Sequence, residues 1–225
     1  MPDAPDGEIT LAQIRAHLYS AVVSDALDGL GYPRQSPDVP LQHYSGSVLL
    51  VGRCRTTLWQ EVVAVDEKDP APYELELRAV DACERDDVLI AAAGGSRRSG
   101  IWGELLSTAA RHRGCAGALV DGCTRDVRQL RAMQFSVYAR ATNPYDSRDR
   151  QKVVALDLTV EIGGVSFLPG ALVIADEDGV VVVPPEIERE AIRRAWQKVH
   201  DENEVRDAIR RGMSASEAFE RYGVL

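Results

Sequence analysis

The chain has 225 residues, 45% hydrophobic and 27% charged, a balance that suits a soluble globular protein of one large domain or two small ones, with enough chain to bury a substantial core. With 35 acidic against 26 basic residues the formal charge is -9, which argues against nucleic acid as a partner, because phosphate contacts need a cationic surface. No apolar run approaches the roughly 20 residues that span a bilayer, so no membrane association is expected.

Taken in chain order, the opening MPDAPDGEIT is acidic and lacks the apolar stretch of a signal peptide. Residues 9–30 place Ile9, Leu11, Ile14, Leu18, Val22 and Leu27 at helical spacing. Thr10 can cap this helix, and Gly29 and Gly31 end it before Pro33. Residues 33–45 read as a loop. Residues 45–59 are rich in β-branched side chains and read as a strand with a bend at Gly52, followed by a short strand EVVAV (61–65) and a polar break, DEKDPAP (66–72). YELELRAVDAC (73–83) reads as a helix and DVLIAAAG (87–94) as a buried strand stopped by glycine. A loop (94–100), a helix (101–114), a strand (116–121), a helix (125–133) and a strand (135–140) follow, an alternation that predicts parallel βαβ units.

Beyond the polar loop NPYDSRDRQK (143–152) come short segments punctuated by Gly and Pro: 153–164, 165–170, 171–179 and 180–185. They read as antiparallel or mixed strands. The long helix 185–212 starts near Pro185 and ends at Gly212. Its stripe of Ile187, Ala191, Ala195 and Val199 is narrow enough to call for a partner surface, for example another subunit. SASEAFERYG finishes the chain as a short helix. Cys54, Cys83, Cys115 and Cys123 form no CxxC and read as reduced thiols, which with the absent signal stretch points to a cytoplasmic protein.

Several constellations carry possible chemistry. The glycine loop AAAGGSRRSGIWGELL runs from a strand into a helix and could direct backbone amides at an anion, although it is neither a Walker motif nor GxGxxG; a plain connection is the alternative. Glu104 and the pair Arg125-Asp126 each follow a buried strand, at the carboxyl ends where ligands of parallel sheets bind. If those strands are neighbours the three converge, and two carboxylates beside a guanidinium suit a hard divalent ion with an anionic ligand; acids near a helix start also simply favour the macrodipole. ADEDGV (175–180) reads as a tight turn rather than a calcium loop, and His17, His43, His112 and His200 as surface or helix-face residues. Glu202 and Glu204 read as a solvated helix face.

The segment GIWGELLSTAARHRGCAGALVDGCTRD (100–126), with twenty residues between Glu104 and Arg125, closely resembles the RraA-like family, which includes the 4-hydroxy-4-methyl-2-oxoglutarate/4-carboxy-4-hydroxy-2-oxoadipate aldolases. VVSDALDGLG (22–31), GGVSFLPGALVIADEDGVVVVP (163–184) and IRRGMSASEAFERYG (209–223) also match its pattern. The resemblance implies one α/β domain over 1–225, a three-layer ββα fold of the swivelling type with mixed sheets and flanking helices (9–30 and 185–222). It implies a homotrimer or homohexamer with sites at subunit interfaces, and a Mg²⁺ or Mn²⁺ cofactor. Asp126 would be the direct metal ligand, Glu104 would hold a metal-bound water, and Glu202 of a neighbouring subunit would complete the outer shell through water. Arg125 would contact the substrate's keto oxygen; the amides of Leu105 and Leu106, next to Gly103, would hold its carboxylate.

What the resemblance implies is a class II lyase that splits a C–C bond of a short 2-oxo acid, by retro-aldol cleavage, oxaloacetate decarboxylation or both, leaving a pyruvate enolate. The three lysines, Lys68, Lys152 and Lys198, sit in polar or charged segments, poor settings for a Schiff base. The family also contains non-catalytic trimeric regulators that bind a protein partner; those tend to lack an acid at the position of Glu104. Glu104 stands where characterised aldolases tend to have Asp, Gln129 where many members have an acid, and Ala171 in place of the Asp of PGD.

Overall fold

The computed structural model describes residues 8–63 and 71–223. Helices α1 (Leu11–His17) and α2 (Ser20–Asp28) open the described chain, in place of the single helix expected over 9–30. Thr10 does cap the start, in a reciprocal capping box with Gln13. The helix breaks at Leu18 and Tyr19, whose backbones are extended, because the next turn begins on a tertiary anchor. The Ser20 N–H and hydroxyl both donate to the Asp176 carboxylate, at 2.7 and 2.6 Å. A carboxylate at a helix N-terminus satisfies orphan donors and opposes the macrodipole, and the contact comes from 156 residues away, beyond any local pattern.

Among the described residues the main sheet has nine strands. They are β1 (Gln42–Ser45), β2 (Leu50–Glu61), β3 (Asp87–Ala92), β4 (Gly100–Trp102), β5 (Gly117–Thr124), β6 (Ser136–Thr142), β7 (Gln151–Leu156), β10 (Leu172–Ala175) and β11 (Val180–Val183). The path is β1-β6-β5-β3-β2-β10-β11, with β4 added to the end of β5 and β7 to the second half of β2. Strands β2, β3, β5 and β6 run parallel, as the alternation predicted; β1, β7, β10 and β11 join antiparallel. A separate hairpin pairs β8 (Val160–Ile162) with β9 (Val165–Phe167).

Several boundaries differ from the sequence reading. Residues 42–45, expected in a loop, form the edge strand β1. Gly52 lies inside β2 without breaking it; a Cβ there would come within 2.2 Å of the Asp86 carbonyl, so its role is close approach rather than a bend. Of the expected strand 61–65, Glu61 ends β2 and residues 64–65 lie outside the described residues, as does most of 66–72. The expected strand 153–164 is two, β7 and β8, divided at Asp157, which has φ +53°.

Strand periodicity builds the layers. Leu89 and Ala91 of β3, with Ala118 and Val120 of β5, face α3 (Glu74–Asp81), α4 (Glu104–Arg113) and α5 (Val127–Met133), where Val80, Ala110 and Leu130 bury. The alternate residues Val88, Ile90 and Leu119 face the β8–β9 hairpin through Val160, Ile162 and Phe167. Hairpin, main sheet and helices thus give the ββα order. At the far end, Leu172, Ile174, Val181 and Val183 turn toward α1, α2 and α6 (Glu188–Arg210). The stripe on α6 finds its partners within the chain, α2 along its first half and α7 (Ala215–Tyr222) along its second.

Candidate active site

The backbone of Glu104 meets the Asp126 carboxylate, while the Glu104 carboxylate itself is bonded by Thr108, and the cause of the meeting is β4. This three-residue strand, expected as the start of a helix, pairs Trp102 with Thr124 at the end of β5. The Trp102 carbonyl accepts both the Arg125 N–H (2.8 Å) and the Thr124 hydroxyl (2.9 Å). Helix α4 therefore begins beside the residues that leave β5. Asp126 has φ +56°, ψ +33°, a left-handed conformation that Asp tolerates better than most residues and that turns its side chain back toward α4. Its Oδ2 accepts the Glu104 N–H at 3.1 Å. The helix N-terminus that the glycine loop could have aimed at an outside anion thus faces the chain's own carboxylate, and the loop is a connection. Within the loop, the Gly95 N–H is likewise taken by Asp121 Oδ2, at 3.2 Å, and Asp121 pairs with Arg140.

Gly103 makes this approach possible. A Cβ at that position would lie 2.5 Å from Asp126 Oδ2 and 3.0 Å from Arg125 Cγ. The first-turn amides of Leu105 and Leu106 have no preceding helical carbonyl to bond, so they remain available donors beside Asp126. Leu105 itself is 76% exposed, and Leu106 packs on the helix-side core.

Arg125 is held on two sides. Its Nη1 donates to Asp146 Oδ2 at 2.8 Å, and its Nε lies 3.7 Å from Asp126 Oδ2. Asp146 Oδ1 accepts the Tyr73 hydroxyl at 2.6 Å and the Arg148 N–H at 2.8 Å. Burial alone would push the Asp146 carboxyl up; Tyr73, the Arg148 amide and Arg125 outweigh it and hold it below the usual range. Burial, then the bond to Asp146, pushes Tyr73 up to about 12. Behind them Glu76 is pushed up to about 7, chiefly by burial and then by the Asp146 charge.

A cavity of about 460 Å³ opens on the β1 and α5 side of Arg125 and Asp126, lined also by Tyr44, Arg131, Asn143 and Pro144. Arg131 donates through Nε to the Tyr44 carbonyl at 3.0 Å and has no carboxylate partner among the described residues. Glu104 is not part of this lining; its Oε1 accepts the Thr108 hydroxyl at 3.0 Å, one turn along α4. Glu202 lies away from these residues on α6, bonded by the Tyr19 hydroxyl at 2.8 Å, with Lys198 and Arg206 each 3.9 Å away.

The remaining candidates are structural. ADEDGV is the tight β10–β11 turn, closed by the Asp176 N–H on the Gly179 carbonyl (3.0 Å). His17 and His200 flank Trp196; His43, expected at a surface, packs on Tyr138 with Nε2 buried. The four cysteines are free and buried. The residues that sequence reasoning missed, Asp146, Tyr73, Tyr44, Arg131 and Asn143, come from the helix α3 start, from β1, from α5 and from the loop after β6. Only the Asx-turn potential of Asn143-Pro144 marked any of them.

Among the described residues no three His, Cys, Asp or Glu side chains gather as a metal cage. Among the described residues the site offers the Asp126 carboxylate with one oxygen unengaged, first-turn amides of α4 and a gripped guanidinium. A single available carboxylate oxygen fits only a hard divalent cation that keeps most of its waters.

This layered α/β architecture with an Arg-Asp pair at the strand ends defines a class, and the chain belongs to the RraA-like family: the Aldolase/RraA family model matches residues 20–182. A protein of Halalkalibacterium halodurans described as "Putative 4-hydroxy-4-methyl-2-oxoglutarate aldolase" is 29% identical over 197 residues, 88% of this chain and 87% of that protein. One of Pseudomonas paraeruginosa with the same description is 36% identical over 105 residues, 47% of this chain and 64% of that protein. The crystal structure of Streptomyces coelicolor RraAS2, described as an unusual member of the RNase ES inhibitor RraA family, has a TM-score of 0.76 at 29% identity, covering 91% of this chain and 98% of that one. An uncharacterized protein from Pseudomonas syringae shares the fold, with a TM-score of 0.79 at 24% identity and coverage of 97% and 98%.

Proposed function

We propose that the protein is a divalent-cation-dependent lyase that cleaves a C–C bond of a short 2-oxo acid to release pyruvate, by retro-aldol cleavage, by oxaloacetate decarboxylation or by both. Relatives described as aldolases support the class. The observation that carries it is Asp126, held in a left-handed conformation against the α4 amides beside a gripped Arg125. Backbone strain of this kind persists where the surroundings over-determine it, which is typical of functional sites.

Asp126 would hold Mg²⁺ or Mn²⁺ through its unengaged oxygen, with Glu104 and a neighbouring copy's Glu202 acting through water. When bound, the cation supplies Lewis-acid stabilisation of charge on the keto oxygen. The Leu105 and Leu106 amides donate to the substrate carboxylate and fix its plane. Arg125 donates to the keto oxygen, where charge develops as the C–C bond breaks. Glu104, with Oε1 engaged by Thr108, keeps Oε2 for water or for a proton in transit. A Schiff-base route has no support among the described residues: Lys152 lies on β7, and Lys198 is paired with Asp25 at 2.5 Å. The exposed Leu105 and the incomplete donor set of one chain support a homotrimer or homohexamer with the site between copies.

Screening 2-oxo acids for pyruvate release with Mg²⁺ and Mn²⁺ tests the reading. Turnover should vanish with a chelator and return with the ion; chelator-insensitive turnover would reject it. The second reading, a non-catalytic regulator that binds a protein, is favoured by the Glu104 carboxylate lying on Thr108 outside the cavity and by the likeness to RraAS2. Capture of a specific protein together with no pyruvate release would establish that reading instead.

A further inference from the structure

We propose that Asp146 is the positioning residue of Arg125, gripping one arm of the guanidinium so that its remaining donors, Nη2 foremost, are aimed to meet the substrate. The inference rests on the lyase reading above. Guanidinium donors form a rigid planar fork, so fixing one arm fixes the direction of the others. Here Nη1 is on Asp146 Oδ2 at 2.8 Å, and Nε faces Asp126 Oδ2 at 3.7 Å. Nη2 makes no bond to another described residue.

The grip is itself built. Asp146 Oδ1 is filled by the Tyr73 hydroxyl at 2.6 Å and the Arg148 N–H at 2.8 Å, so the carboxylate has no freedom to follow a moving arginine. Its loop is sewn to the two strands that deliver Arg125. The Asn143 N–H donates to the Thr124 carbonyl of β5 at 3.0 Å, and the Gly100 N–H of β4 donates to the Tyr145 carbonyl at 2.9 Å. Tyr73 ties the same loop to the start of α3. The carboxyl is held ionised against burial by these same donors, which keeps the pair charge-assisted. An arginine that is 31% exposed would otherwise sample several rotamers, and a catalytic donor misplaced by about 1 Å costs on the order of 100-fold in rate.

The test uses the full chain with Asp146→Asn, Tyr73→Phe and Arg125→Lys, reading pyruvate release with Mg²⁺ or Mn²⁺ and, separately, ¹⁵N spectra of the arginine side chains. Asn at 146 loses either the bond to Arg125 or the one from the Arg148 N–H, whichever way its amide sits. We expect kcat to fall about 30-fold with KM within about threefold, because orientation counts most where charge develops. Tyr73→Phe should shift kcat the same way, by about threefold, and Asp146→Asn added to Arg125→Lys should cost nothing more. In the spectra, the Nη signals lost in Arg125→Lys should be split and slow in the parent and averaged in Asp146→Asn. Parent-like kcat in both single variants, a change confined to KM, an additive double variant, or Nη signals unaltered in Asp146→Asn overturns the proposal. If Asp146→Asn does not fold, Tyr73→Phe decides by the same criteria. If the parent releases no pyruvate from any 2-oxo acid, the lyase reading fails, and the spectra still decide whether Asp146 holds Arg125.

Discussion

Two places in the molecule put an aspartate against a helix N-terminus, and they do opposite work. At the start of α2, Asp176 is 9% exposed and accepts from both the N–H and the hydroxyl of Ser20. It also takes the Asp178 N–H at 3.0 Å. Both of its oxygens are bonded, and it is buried. At the start of α4, Asp126 has a side chain 40% exposed, accepts one amide at 3.1 Å, and sits on a left-handed backbone next to an arginine anchored elsewhere. The first arrangement closes a joint between the N-terminal helices and the β10–β11 hairpin. The second leaves carboxylate lone pairs and a guanidinium facing a cavity. A saturated and buried carboxylate is accounted for by architecture; an under-satisfied one beside a cavity is the candidate to meet a ligand.

Substituting each aspartate separates the two roles. Asp126→Asn should lower pyruvate release at least about 100-fold, as losing a principal electrostatic group in a site does, while thermal unfolding moves little because the side chain is exposed. Asp176→Ala should leave turnover per folded molecule unchanged and destabilise by about 2–3 kcal/mol, because it strands the buried Ser20 donors. Chemical denaturation measures the second effect and steady-state kinetics the first. Crossed outcomes, with Asp126 governing stability and Asp176 activity, would break the contrast.

A smaller change probes the geometry alone. Gly103 has φ -148°, which any residue can adopt, so Gly103→Ala strains no backbone. The new methyl instead enters the 2.5 Å space in front of Asp126 Oδ2. Displacing the carboxylate should reduce turnover about tenfold with a stability change under about 1 kcal/mol, measurable by kinetics and melting on the same sample.

How far these features were legible depends on whether their cause is local. Strands β3 and β5 announce themselves as apolar runs, and the place of Glu104 and of Arg125-Asp126 after buried strands allowed them to meet if those strands were neighbours, which they are. What carries them together did not show: β4 is three residues long and reads as the first turn of a helix because Ile101-Trp102 precede a helical run. Asp146 and Tyr73 lie 73 residues apart and meet only because a loop lies across the ends of β4 and β5. The break between α1 and α2 is hidden for the same reason, since its cause is Asp176. Periodicity reports which face of an element is buried; it is silent about the partner that loops bring to it.

Glu76 lies behind Arg125, and its effect is read in stability alone. Its carboxyl is pushed up to about 7, first by burial and then by Asp146, against a usual value of 4.5. Between those two values the folded protein holds a proton that the unfolded chain has released, so stability falls as pH rises through that window. Below about 4.5 the contribution is fully present, and above about 7 it is gone. Glu76→Gln keeps the neutral form at every pH. It should match the parent near pH 4.5 and exceed it at pH 8 by about 1–2 kcal/mol, the full shift being discounted because the side chain is partly exposed and Arg125 offsets some of the cost. Urea unfolding of both proteins across that range checks it. A constant difference at all pH values would mean that Glu76 is already ionised in the fold, and that the acidic group behind Arg125 bears two full charges rather than one.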